Sequence, residues 1–368
     1  MGRFWDGTGI AFDPTFWVEV LRVLKPGAYL LAFGGTRTHH RMVCAIEDAG
    51  FIISDEITWI HAQGYPKSRD VSKDMDLLAG AERTEVIGIK MDISTGKPMS
   101  IKQVKAGSEV DIQPGYDRPW RHDEEHCEDL TLIKAPVTPE AQEFAGFGTA
   151  LKPAHECICV AQKPISEKTI VLNVLRWGTG AMNIDACRIP LNGEKVPINR
   201  LETWSGFGQK EKPDYKQEIN EKGRWPANLI LDEEAGYLLD QQTGTLTSGK
   251  PVGVRNVVDG DVNFLRGTQP GYPVTGYGDS GGAARFFYCP KPTKAEKNEG
   301  LDGSKNIHAT VKPESLISHL VKLVTRPGGV VLDPFLGSGT TAKVCKKLGY
   351  SCIGIEREEE YVVIARQR

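Results

Sequence analysis

The chain has 368 residues, is 40% hydrophobic and 25% charged, and carries a formal net charge of −3. No apolar run approaches the roughly 20 residues needed to cross a bilayer, and "MGRFWDGTG" at the start has no apolar signal region, so a cytoplasmic protein is expected. The charge argues against coating nucleic acid by charge alone, yet allows an enzyme with local basic patches.

In chain order, Phe16, Val20, Leu21 and Leu24 recur at helical spacing and predict a helix over 13–27, stopped by Pro-Gly. A continuous apolar strand is expected over 28–35, a helix over 36–50 and a strand over 51–62. That rhythm is an α/β sheet covered on both faces. The last strand is expected to run antiparallel, because no helix clearly follows it. Residues 64–149 are polar and mixed, and a strand returns at 152–164. From 165 to 284 the chain is turn-rich, with only "RWPANLILD" (224–232) firmly structured; such long loops are usually functional. A re-entry strand is expected over 284–292, then a helix over 312–324, a strand over 329–333, a helix over 340–348 and a strand over 351–356. The sheet is therefore split between the two ends of the chain. The expected divisions are 1–75, 76–149 as an insertion, 150–164 as a core strand, 165–284 as a second insertion, and 285–368. The eight cysteines form no CxxC pair, and Cys157 and Cys159 alternate as residues on one strand face do. Reduced thiols, and no metal site, are expected.

The chemistry concentrates in "GVVLDPFLGSGTTAKV", a strand, a glycine turn and a helix start. Gly337 and Gly339 permit a tight turn and close backbone approach to a ligand. Asp333 ends the strand. Glu356 ends the next strand, where a carboxylate can accept hydrogen bonds from both hydroxyls of a ribose. "GSGTTA" also meets a loose GxGxxA pattern, so a nicotinamide or flavin site competes, without a second catalytic constellation to support it. The plain alternative is a structural glycine turn with a capping Asp.

The segment 308–368, with a "KP" helix before "DPFLGSGTT" and a strand ending in Glu, resembles the C-terminal part of phage and prophage amino-group DNA methyltransferases of the permuted β class. "VLRVLKPGAYLLAFGG", "LKPAHECICVAQKP", "RWPANLILD" and "RFFYCPKPTKAEKNEGL" resemble further segments of that family. The resemblance implies an S-adenosylmethionine-dependent methyltransferase (Rossmann-like) α/β sheet in circularly permuted order, with a target-recognition region at 165–284. It assigns Asp333, Phe335, Gly337, Gly339 and Thr340 to the cofactor loop, Glu356 to the ribose, and Lys312 to the methionine end. The implied reaction is methyl transfer to the exocyclic amine of adenine, in preference to cytosine, in double-stranded DNA, as in restriction–modification systems. Arg176, Arg188, Arg224 and Arg266 are candidate base or phosphate contacts, and a homodimer is compatible with the family.

One family feature is missing: the sequence contains no Asp/Asn/Ser-Pro-Pro-aromatic signature. An exocyclic amine is a weak nucleophile, and in the family this signature accepts its protons and stacks on the flipped base. "DPTF" at Asp13–Phe16 has the outer letters, but an Asp cap with Pro at the first helical position explains it. The chain is therefore expected to begin after the signature. The strands at 28–33 and 330–333 should then flank a gap or close on each other. The alternative function is a catalytically dead S-adenosylmethionine- and DNA-binding remnant. Elsewhere, Trp5 and Asp6 are candidates to line the cofactor site. Adjacent His39 and His40 do not share a helix face. Lys343–Lys347 reads as a solvated face, and His155–Glu156 as structural.

Overall fold

A computed structural model describes residues 8–62, 68–91, 97–101, 129–191, 196–201, 215–220, 222–247, 280–290, 296–301, 306–308 and 310–368. Trp5, Asp6 and Arg266 lie outside them. Two compact units emerge, Met1–Gly64 with Ala154–Arg368, and Tyr65–Pro153.

The first unit begins with α1 (Pro14–Val23), whose cap is Asp13: its carboxylate accepts from the Thr15 N–H at 2.9 Å, and Pro14 takes the first turn. Strand β1 (Tyr29–Gly34), helix α2 (His39–Asp48) and strand β2 (Ile52–Ile60) follow. The second unit holds α3 (Val71–Leu78), the β3 (Val86–Ile89) and β4 (Leu132–Lys134) pair, and α4 (Pro139–Glu143). Back in the first unit come β5 (His155–Gln162), α5 (Ile170–Trp177), a hairpin of β6 (Val196–Leu201) and β7 (Tyr215–Asn220), β8 (Leu229–Leu231), α6 (Glu233–Thr243), and the short pair β9 (Leu246–Thr247) and β10 (Ser280–Gly281). The chain ends with α7 (Glu314–Val324), β11 (Val330–Asp333), α8 (Thr340–Leu348), β12 (Ser351–Gly354) and α9 (Glu359–Gln367).

The main sheet has the order β1-β5-β2-β8. β5 is antiparallel to both β1 and β2, and β2 is parallel to β8. The reversed strand is thus β5 and not, as expected, the strand at 51–62. The two-residue period of β5 sends Cys159 and Ala161 to a core under α1 and α2, with Trp17, Val20, Met42 and Ile46. It sends Ile158 and Val160 to the opposite core, with Ile57, Trp59, Ile230, Leu316 and Leu320.

β11 and β12 form a separate parallel pair. Helix α7 joins it to the main sheet through two of its stripes. Leu316, Leu320 and Leu323 pack into the main-sheet core, while Ile317 and Val321 pack with Val344 and Cys345 of α8. Phe33 of β1 and Val331 of β11 meet in that latter cluster. Among the described residues no strand pairs with the outer edge of β1 or of β11.

Several boundaries differ from the sequence reading. The break expected at 75/76 falls inside α3, because Asp70 caps a helix that runs on through it. The region 165–284 contains β8, a strand of the main sheet, because Leu229–Leu231 is apolar enough to be buried there. It also contains α5, which was not foreseen. Its buried side chain is Asn173, which donates to the Pro26 and Thr179 carbonyls at 2.9 Å each. The expected strand at 284–292 is a 3-10 turn, Ala283–Phe286, followed by a single bridge from Tyr288 to Ile230. The Asp240 carboxylate accepts from the Ala284 N–H at 2.7 Å and holds that turn.

Candidate cofactor site

The glycine loop lies where β11 gives way to α8. Asp333 turns its carboxylate onto the Phe335 N–H at 3.0 Å and closes the turn locally. Gly337 and Gly339 have φ of +56° and +84°, in the left-handed region that favours glycine. The space is equally restrictive. A Cβ on Gly337 would meet His308 Nε2 at 2.7 Å, and one on Gly339 would meet the Ala365 backbone at 2.9 Å.

Glu356, two residues beyond β12, faces back onto this loop. Its Oε2 accepts from the Gly337 N–H at 2.7 Å, and its Oε1 accepts from the Arg357 and Glu358 N–H groups at 2.9 Å each. A carboxylate offers about four lone-pair positions, so capacity remains for a ligand hydroxyl. Phe335 is half-exposed, and its ring lies 5.1 Å from that of Phe16. Thr340 is buried at the first turn of α8, and its hydroxyl accepts from Arg368 at 3.3 Å. Arg368 also donates to the Ser338 carbonyl at 2.8 Å, supporting the loop from beneath.

Lys312 sits before α7, with its Nζ 2.5 Å from Glu156 and over the rings of Phe33 and Trp59, 5.1 and 5.7 Å from their centroids. Phe33 and Trp59 stand near the carboxyl ends of β1 and β2, where ligands of open α/β sheets bind. The sequence alone could not pair Lys312 with Glu156, 156 positions apart. His308 was likewise missed as a neighbour of the loop. Burial lowers its pKa, against the opposing charge of Glu356.

Lys343 corrects the reading of a solvated face. It is buried, 2.6 Å from Glu314 and 2.9 Å from Glu299, with Lys347 completing the cluster. Among the arginines, Arg188 is tied to Asp185 at 2.8 Å and stacks over Trp225. Arg224 pairs in backbone with Ile189, and its guanidinium lies over Phe286, as does that of Arg285. These form one basic and aromatic patch. Arg176 is mostly exposed, with Glu167 at 2.6 Å.

A glycine turn between a strand and a helix, with a carboxylate closing on it from beyond the next parallel strand, is the arrangement in which open α/β folds hold nucleoside-type ligands. Residues 12–367 match the model of the N6/N4 DNA methylase family, and the chain belongs to that family. It is 44% identical over 80 residues to the type II methyltransferase M.HinfI of Haemophilus influenzae, covering 22% of this chain and 21% of that protein. It is 51% identical over 61 residues to the type II methyltransferase M2.DpnII of Streptococcus pneumoniae, covering 17% and 23%. The chain thus spans less than a quarter of the length of these curated relatives. Similar solved structures include the M1.HpyAVI–SAM complex (13% identity, TM-score 0.34, covering 98% of this chain and 82% of that one) and the cytosine-N4-specific PvuII DNA methyltransferase (10% identity, TM-score 0.36, covering 96% and 70%).

Proposed function

We propose that the chain is a site-specific, S-adenosylmethionine-dependent DNA methyltransferase acting on the exocyclic amine of adenine or cytosine. The observation that carries this is the closed arrangement of β11, glycine loop, α8 and β12, pinned by the bond from Gly337 to Glu356. The donor set fits the cofactor. Glu356 accepts from a ribose hydroxyl, the exposed ring of Phe335 offers a stacking face for the adenine, and the α8 glycine turn lets the backbone approach. Lys312, held by Glu156, supplies a cation for the methionine carboxylate. When bound, S-adenosylmethionine supplies a methyl group activated on a sulfonium. The patch of Arg188, Trp225, Arg224 and Phe286 meets the DNA, with Arg176 as a further phosphate contact.

A second reading, cofactor and DNA binding without transfer, is favoured by the missing Pro-Pro signature in the sequence, and by the lack, among the described residues, of a strand pairing with the outer edge of β1 or of β11. Calorimetric titration with S-adenosylmethionine, followed by transfer of labelled methyl groups to double-stranded DNA, tests both. Binding with transfer supports the first reading, and binding without transfer supports the second. Failure to bind the cofactor removes both.

A further inference from the structure

Away from the glycine loop, three side chains of metal-binding type converge on the α2 face of the main sheet. His39 is the first residue of α2, Glu56 lies on β2 and Cys157 on β5. Register explains the meeting. Glu56 pairs with Cys159, so Cys157, two residues away, shares its face; Cys157 in turn lies opposite Gly34 of β1. Gly34 leaves that place open, and the imidazole fills it: a Cβ there would come 2.8 Å from His39 Cδ2.

Within the trio, His39 is poorly satisfied as a hydrogen-bonding group. His39 Nδ1 stands 3.5 Å from Glu56 Oε2, beyond a good bond. His39 Nε2 is buried with no hydrogen-bond partner. Burial, then the charge of Glu56 and a hydrogen bond from the thiol to its carboxylate, keep the proton on the Cys157 thiol. As a ligand set the same groups are well matched. One donor atom from each lies within 4.8 Å of the other two.

We propose that His39, Glu56 and Cys157 bind a divalent transition-metal ion, of which zinc suits the nitrogen, oxygen and sulfur set best. A neutral imidazole, a carboxylate and a thiolate offset its double charge. The thiol proton leaves to solvent as the sulfur–metal bond forms, and nothing is oxidised or reduced. Bonds of about 2.0–2.3 Å in a tetrahedral site put ligand atoms roughly 3.3–3.8 Å apart, so a small side-chain closure completes it. Glu56, about half-exposed, leaves the fourth position to water. His40, on the exposed side of α2, takes no part. The ion fastens the start of α2 to β2 and β5, and the inference is independent of the cofactor assignment.

Cobalt(II) titration of the purified chain tests it. One equivalent should bind, with a thiolate-to-cobalt band in the near ultraviolet and the strong visible absorption of a tetrahedral ion, both removed by added zinc. Cys157→Ala should lose the near-ultraviolet band. Glu56→Gln, a half-exposed change that leaves the fold intact, should weaken cobalt binding by about tenfold or more. The site is refuted if folded protein shows no saturable binding at micromolar cobalt, if the near-ultraviolet band persists in Cys157→Ala, or if Glu56→Gln binds unchanged.

Discussion

Glu356 has two tasks in this arrangement, and they can be separated. It accepts from the Gly337 N–H, which shapes the loop, and it keeps capacity for a ribose. Glu356→Ala should remove a charge-assisted hydrogen bond worth about 1.5–3 kcal/mol and weaken S-adenosylmethionine binding by ten- to a hundredfold or so. Glu356→Gln should retain the Gly337 contact and lose less; equal affinity of the alanine variant and the parent would defeat the assignment. The glycines differ in kind. At Gly337 the obstacle is the imidazole of His308, which can turn aside, whereas at Gly339 it is the backbone of α9. Gly339→Ala should therefore destabilise more than Gly337→Ala, beyond the ~1–3 kcal/mol that left-handed backbone costs a non-glycine residue. Urea denaturation of the two variants ranks them.

Helix α7 carries much of the fold, since one of its stripes packs into the main-sheet core and the other against α8 beside β11 and β12. It also carries a pH dependence. His319 is buried and stacked on Tyr288 with ring centroids 4.1 Å apart, and burial, with the nearby Lys322 charge, lowers its pKa to about 4. Above pH 6.5 the residue is neutral folded or unfolded and contributes nothing. Below that the unfolded chain takes up a proton that the folded chain refuses, so stability falls, by up to about 3 kcal/mol as pH reaches 4. His319→Phe keeps the stack and should lose less stability than the parent between pH 7 and 4.5 in urea melts. The sequence displayed α7 well, because its apolar residues repeat at helical spacing. It displayed β11 and β12 as short apolar runs bounded by glycines or charged residues, with the helix α8 between them, and the loop residues Gly337, Gly339 and Glu356 stood at element ends where composition marks them. What escaped was long-range or inverted in pattern: the reversal of β5, which depends on its partners; α5, whose buried residue is polar; and the turn at Ala283–Phe286, fixed by Asp240 from another helix.

Over the whole molecule, the unit Tyr65–Pro153 has its own anchor. Asp76 is buried; burial alone would raise its pKa, but hydrogen bonds from Thr138, Val137 and Arg83 outweigh this and hold it well below the usual carboxylate range. Its contribution is present above about pH 4, where the unfolded carboxyl is already charged, and is lost as pH falls from there toward the depressed folded value. Asp76→Asn should lower the melting temperature of this unit and flatten its acid sensitivity, followed by hydrogen exchange at Thr138. The unit enters and leaves the main sheet at one place. Ile60 of β2 pairs with His155 of β5, and the His61 N–H donates to the Ala154 carbonyl at 2.9 Å. Replacing 65–153 by a short turn should therefore leave S-adenosylmethionine binding intact, as calorimetry of the shortened chain would show. Topologically, the whole unit is the tip of a single β-hairpin whose stem is already zipped. The entropy of closing such a loop grows only with the logarithm of its length, about 0.6 kcal/mol for each doubling. That rung is a socket: passengers of very different size can be carried there, and exchanged, at almost the same energetic charge to the sheet that holds them.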